Sequence, residues 1–210
     1  MRKIYHGSIK AVPNPQWGLG RSGNDYGQGF YCTEDAELAK EWAAAQETGG
    51  FLNQYEIEDD YLKILVLNML QWLALLVNNR KLRLGSPVER RGKEFLLKYF
   101  LPDISRYDVV IGYRADDSYF SFARAFLSNT ITLEQLSRAM VLGNLGMQYV
   151  LMSKKAFDSV HFLTAVPVDG SIYYPRRMNR DRKARTAYLK MLEENVTDGK
   201  YIADLMRGAQ

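Results

Sequence analysis

The sequence predicts an α+β fold. Short strand-like and helical runs follow one another without the regular alternation that a doubly wound parallel sheet requires. The 210 residues suffice for one domain with a proper core. No internal repeat or low-complexity tract divides the chain.

The elements read off in order. Ile4-Tyr5-His6-Gly7 is a short strand closed by Gly7. Pro13, Pro15, Gly18, Gly20 and Gly23 then keep residues 11–29 irregular. A connection that long raises the expectation of a binding loop. Phe30-Tyr31-Cys32 is strand-like, and Thr33 reads as the N-cap of a helix. Glu34 and Asp35 fall in its first turn, where carboxylates suit the helix dipole. Ala36, Ala39, Trp42 and Ala43 form its apolar stripe, and Gly49-Gly50 end it. Residues 51–57 alternate, placing Phe51, Tyr55 and Ile57 on one strand face; 61–67 reads as the next strand. Helical patterns over 69–79 and 88–100 flank Gly85-Ser86-Pro87 and form a helical insert. A strong strand is expected over 107–115 and a helix over 118–128. Thr132 and Gln135 make a capping box for a helix reaching about Leu142. Strands over 147–153 and 160–166 follow, and a basic tail leads into a helix with Tyr188, Leu189 and Leu192 on one side.

Composition narrows the classes. With 47% hydrophobic and 25% charged residues, the chain has the make-up of a soluble globular protein. A net charge of +4 permits an anionic partner without demanding one. The bias concentrates in 176–185, "RRMNRDRKAR", which holds six Arg/Lys against one acid. Its neighbours Tyr173, Tyr174 and Pro175 make Arg176, Arg177 and Arg180 candidates for nucleic-acid contact, by phosphate pairing beside stacking rings. A solvated helix with a charged surface is the competing reading. The lone Cys32 excludes an intrachain disulfide, fits a reducing compartment and reads as a buried structural thiol. No apolar signal region opens the chain, and Lys63, Asn68 and Gln71 interrupt the apolar run 61–77. A cytoplasmic protein without a membrane partner is expected.

Chemistry concentrates at the two glycine-flanked strands. A glycine-flanked His6 can hydrogen-bond a hydroxyl, and Gly7 would let a flat ligand approach the backbone. Tyr31, after Gly27-Gln28-Gly29, can offer an aromatic face. Such a set suits a ligand with a ribose and a flat heteroaromatic ring, although each residue alone also reads as structural.

The order "YHGS", irregular loop, "NDYGQGFYCTEDAELAKEWA", then "YDVVIGYRADD" and "GMQYVLMSKKAFDSVHFL" resembles a bacterial family of the ADP-ribosyltransferase superfamily. Its branch is the H-Y-E one, with the diphtheria-toxin and poly-ADP-ribose polymerase catalytic domains, and the likeness covers about residues 3–165. The resemblance implies two packed mixed or antiparallel sheets forming an NAD cleft, with flanking helices and the insert at about 69–100. Residues 1–170 would form that domain and 171–210 a basic helical extension. NAD would be co-substrate, with no metal. His6 would hold a ribose hydroxyl, Gly7 would offer its backbone to the nicotinamide carboxamide, Ser8 would lie beside the same ligand, and Tyr31 would stack on the nicotinamide. The glutamate that begins a late strand in that branch is replaced here by Gln148. A glutamine can hold the hydroxyl but brings no charge to an oxocarbenium-like transition state, where losing such a group costs on the order of 10²–10³ in rate. Asp116 and Asp117 are the substitutes, one of them orienting an acceptor or serving as general base; adjacent carboxylates there also read as an N-cap pair. Arg114 is a candidate for a pyrophosphate or a solvated side chain. The implied activity is ADP-ribosyl transfer to a protein or nucleic acid, in a bacterial or phage toxin or defence effector that a partner protein would neutralise. A non-catalytic module with the same fold, binding NAD or nucleic acid, is the alternative.

Overall fold

Seven short strands pair into two open sheets, seen in a computed structural model that describes residues 1–80, 82, 84–115, 117–144, 146–194 and 199–208, without the Asp117 side chain. The first sheet is antiparallel, in the order β1 (Arg2–Ser8), β3 (Gly50–Ile57), β7 (Val160–Val168). The second runs β2 (Phe30–Cys32), β6 (Met147–Leu151), β5 (Val109–Tyr113), β4 (Ile64–Val66), with only the β4–β5 pair parallel. One backbone bridge joins them: the Tyr5 amide donates to the Thr33 carbonyl at 2.8 Å, and the Thr33 amide donates back at 2.9 Å. Ile4, Tyr55 and Ile57 from one sheet bury against Cys32, Val109, Tyr149 and Leu151 from the other. The α+β expectation holds at this level.

Helices close the outer faces. Helix α1 (Ala36–Ala43) lays Ala39 and Ala43 on Leu52 and Val168 of the first sheet. The parallel β4–β5 pair needs a long crossover, and α2 (Met69–Asn79) with α3 (Pro87–Tyr99) supplies it. Trp72 through Val77 are all buried, so α2 is apolar on every side and forms the centre of the large core. Around it pack α4 (Asp117–Leu127), α5 (Leu133–Ala139), and residues of the C-terminal α7 (Gly170–Glu193) and α8 (Ile202–Gly208). The short α6 (Lys154–Asp158) connects β6 to β7.

Several boundaries moved for local reasons. Thr33 pairs its backbone with Tyr5, so it stays extended, and Asp35 caps α1 instead, accepting the Leu38 amide at 3.1 Å. The strands expected over 61–67 and 107–115 shorten to the residues that find partners across the β4–β5 and β5–β6 ladders. The capping box at Thr132 and Gln135 is present, but α5 ends at Ala139. The basic tail is itself helical from Gly170, with Pro175 accommodated in its second turn. Tyr188 stacks on Phe122 at 4.2 Å, and Leu192 also packs on the core, whereas Leu189 points outward, 59% exposed. Among the described residues no helix is long and apolar enough to cross a membrane.

Candidate functional site

Past the Tyr5–Thr33 bridge, β1 follows β3 and β2 follows β6. A cleft of about 1080 Å³ opens between the diverging strands, roofed by the Gly/Pro loop. His6, Asp25, Tyr31, Arg80, Arg114 and Gln148 all line it.

His6 is held by a 2.7 Å hydrogen bond from Nδ1 to the Tyr31 carbonyl. A carbonyl only accepts, so Nδ1 carries the hydrogen and Nε2 keeps its lone pair. Burial lowers the His6 pKa from its usual 6.5, favouring the neutral ring, which tilts against Phe30 at 4.4 Å. Gly7 serves a purpose the sequence did not suggest. A Cβ there would meet the Ala39 carbonyl oxygen at 1.9 Å and the Ala43 nitrogen at 2.6 Å, so the glycine admits α1, while its backbone still borders the cleft. The Ser8 hydroxyl is engaged locally: it donates to the Lys10 carbonyl at 2.6 Å and receives Asn53 Nδ2 at 2.9 Å. Asn53, fully buried, also donates to the His6 carbonyl and accepts the Val12 amide, fixing both the strand end and the loop. The Tyr31 hydroxyl donates to the Gly27 carbonyl at 2.7 Å and accepts the Tyr26 amide at 3.0 Å.

Gln148 opens onto the same cleft from β6, 4% exposed. Its Nε2 donates to Asp25 Oδ2 at 3.1 Å and to the Tyr113 carbonyl at 3.4 Å. Asp25, 5% exposed, also accepts the Ala115 amide at 3.1 Å and Arg80 Nε at 2.7 Å. Asn79 grips the Asp25 carbonyl, so the end of α2 holds the loop from below. Asp116 lies outside the described residues. Asp117 begins α4, and its side chain is likewise outside them. Arg114 stacks over Trp42 at 4.4 Å, on the cleft wall.

A family model described as "Protein of unknown function (DUF3990)" matches residues 2–162, most of the chain. The chain belongs to the DUF3990 family. No curated protein and no solved structure matches it.

The DUF3990 match takes in His6, Asp25, Tyr31, Arg80 and Gln148 and stops before α7. The three tail arginines divide. Arg176 pairs with Glu37 at 3.2 Å and stacks on Tyr173. Arg180 makes two 2.8 Å bonds to the buried carboxylate of Glu41 and caps the Gly143 carbonyl at 2.7 Å. Only Arg177 of the three reaches the cleft. Among the described residues, it joins Arg21, Arg80 and Arg114 to give the lining four guanidinium groups against the carboxylate of Asp25. Among the described residues no group of His, Cys, Asp and Glu side chains is placed to hold a metal ion.

Sequence reasoning missed Asp25, Arg80 and Asn53. Asp25 stood within "GNDYGQGFY", but aspartate in a glycine-rich stretch ordinarily signals a solvated turn. Arg80 falls one residue past the helical pattern over 69–79, where no periodicity marks it out.

Proposed function

We propose that this DUF3990 protein is an NAD-dependent ADP-ribosyltransferase acting on a macromolecule, protein or nucleic acid. The observation that carries the reading is the meeting of His6, Tyr31 and Gln148, from three separate strands, around one cleft. The fit is chemical as well as spatial. His6 Nε2 is an acceptor for a ribose hydroxyl, and Tyr31 supplies an aromatic wall. The arginine-rich lining suits a pyrophosphate. The cleft volume, about 1080 Å³, lies just above the roughly 300–1,000 Å³ common for ligand pockets.

In the transfer, the bond from ribose C1′ to the nicotinamide nitrogen breaks, and its electron pair leaves with nicotinamide. An acceptor nucleophile then bonds to C1′ and releases its proton. One of Asp116 and Asp117 remains the candidate general base to take that proton. Toxin or defence activity, with a neutralising partner protein, is the biological role this chemistry suits.

NAD at a hundred times its dissociation constant should stabilise the protein by about 2.7 kcal/mol. Free nicotinamide should appear when NAD and the true acceptor are supplied. Mass spectrometry of cellular protein and RNA after expression should find ADP-ribose adducts that vanish in His6→Ala. No stabilisation by NAD and no nicotinamide with any acceptor would sink the proposal. A second reading has its own observation, the uncharged Gln148 where a carboxylate would be expected. Stabilisation by NAD without nicotinamide release would establish that non-catalytic binder instead.

A further inference from the structure

We propose that Asp25 is a positioning residue that aims the Gln148 carbonyl oxygen into the cleft to accept a hydrogen bond from a ligand hydroxyl. The inference rests on the NAD reading above for the identity of that hydroxyl. A glutamine amide can be turned either way, presenting two N–H donors or one oxygen. Here both donor directions are engaged inward, one on Asp25 Oδ2 at 3.1 Å and one on the Tyr113 carbonyl at 3.4 Å. No described side chain or backbone group donates to Oε1, and Gln148 borders the cleft. The amide therefore shows the ligand an acceptor, as a carboxylate would.

The support behind it is rigid. Asp25 can face Gln148 as an acceptor because it is a carboxylate with no hydrogen to offer, and Arg80 and the Ala115 amide hold its two oxygens. The Tyr113 carbonyl is fixed in turn by Trp72 Nε1 at 2.8 Å and by the Tyr26 hydroxyl. Tyr26 adjoins Asp25, and its amide donates to the Tyr31 hydroxyl. One short segment, Asp25-Tyr26-Gly27, thus sets both Tyr31 and Gln148, which reach the cleft from different strands.

The test exchanges acid and amide across the contact. Asp25→Asn can turn an amide hydrogen toward Gln148 and reverse it, so nicotinamide release should fall on the order of 10²-fold in kcat with KM for NAD little changed. Gln148→Glu keeps the Asp25–Arg80 pair but sets two carboxylates against each other, so at neutral pH it should also lose activity and recover on acidification. The double variant Asp25→Asn/Gln148→Glu restores one acid and one amide and should return most of the lost rate at neutral pH. The idea is overturned if Gln148→Glu alone is faster than wild type at neutral pH, or if the double variant is no better than either single. A second readout is free of turnover. In protein labelled with ¹⁵N-glutamine, the Gln148 side-chain amide should exchange slowly, and its resonances should shift and exchange faster in Asp25→Asn. If wild type releases no nicotinamide, the enzymatic reading falls and the amide spectrum alone decides the role of Asp25; an unmoved Gln148 resonance refutes it.

Discussion

Gly7 and His6 are neighbours on β1 and answer to different constraints. Gly7 is where α1 lies closest to the strand, so Gly7→Ala drives a methyl into backbone that cannot swing aside. The expected loss is about 3 kcal/mol, the upper end of the overpacking range, read as a lower urea midpoint. His6 predicts a pH effect. Its folded pKa lies below the ordinary 6.5 because burial penalises the imidazolium. The unfolded chain therefore takes up the proton first, and the stability from His6 is full above pH 6.5 and lost as pH falls through the folded pKa. The paired carboxylates Glu37 and Asp108 are also held low, but their contribution is lost only below their unfolded values of 4.5 and 3.8. Unfolding free energies measured between pH 7 and 5 should decline in wild type and decline less in His6→Gln.

At the scale of elements, Arg176 and Arg180 tie α7 to α1, while Arg182 and Lys183 on the same helix stay exposed. Arg180→Ala leaves the Glu41 carboxylate buried without its cation, a change that costs about 3 kcal/mol. Arg176→Ala breaks an exposed pair with Glu37 and should cost under about 1 kcal/mol. Urea denaturation of the two variants separates them. The same contrast makes Arg177 the useful probe of nucleic-acid contact, since reversing Arg180 would disturb the fold itself. The insert of residues 69–100 is likewise structural in part: α2 builds the core, and Asn79 and Arg80 at its end hold Asp25.

Across the whole molecule, two sheets share one core at one end and part at the other. The Tyr5–Thr33 bridge marks where they part, and the cleft begins one residue later at His6. The net charge of +4 is modest, yet among the described residues the cleft gathers four arginines, from the loop, the C-cap of α2, the β5–α4 connection and α7. Field focusing in such a cleft attracts anions more strongly than the net figure suggests.

Periodicity and turn chemistry determined the α+β class, the span of α2 and the capping box of Thr132 and Gln135, because those depend on residues within a few positions of each other. Motif order also placed His6, Tyr31 and Gln148 as one candidate set. What only tertiary structure decided was the partner of each. Asp25 and Gln148 stand 123 residues apart, and Asp25 and Arg80 55 apart, so no local pattern joins them. Gly7 looked like a place for a ligand because a missing side chain is visible in sequence, whereas the helix that fills the space is not. Local order is written in near neighbours; a buried carboxylate acquires its meaning from whatever the fold brings against it.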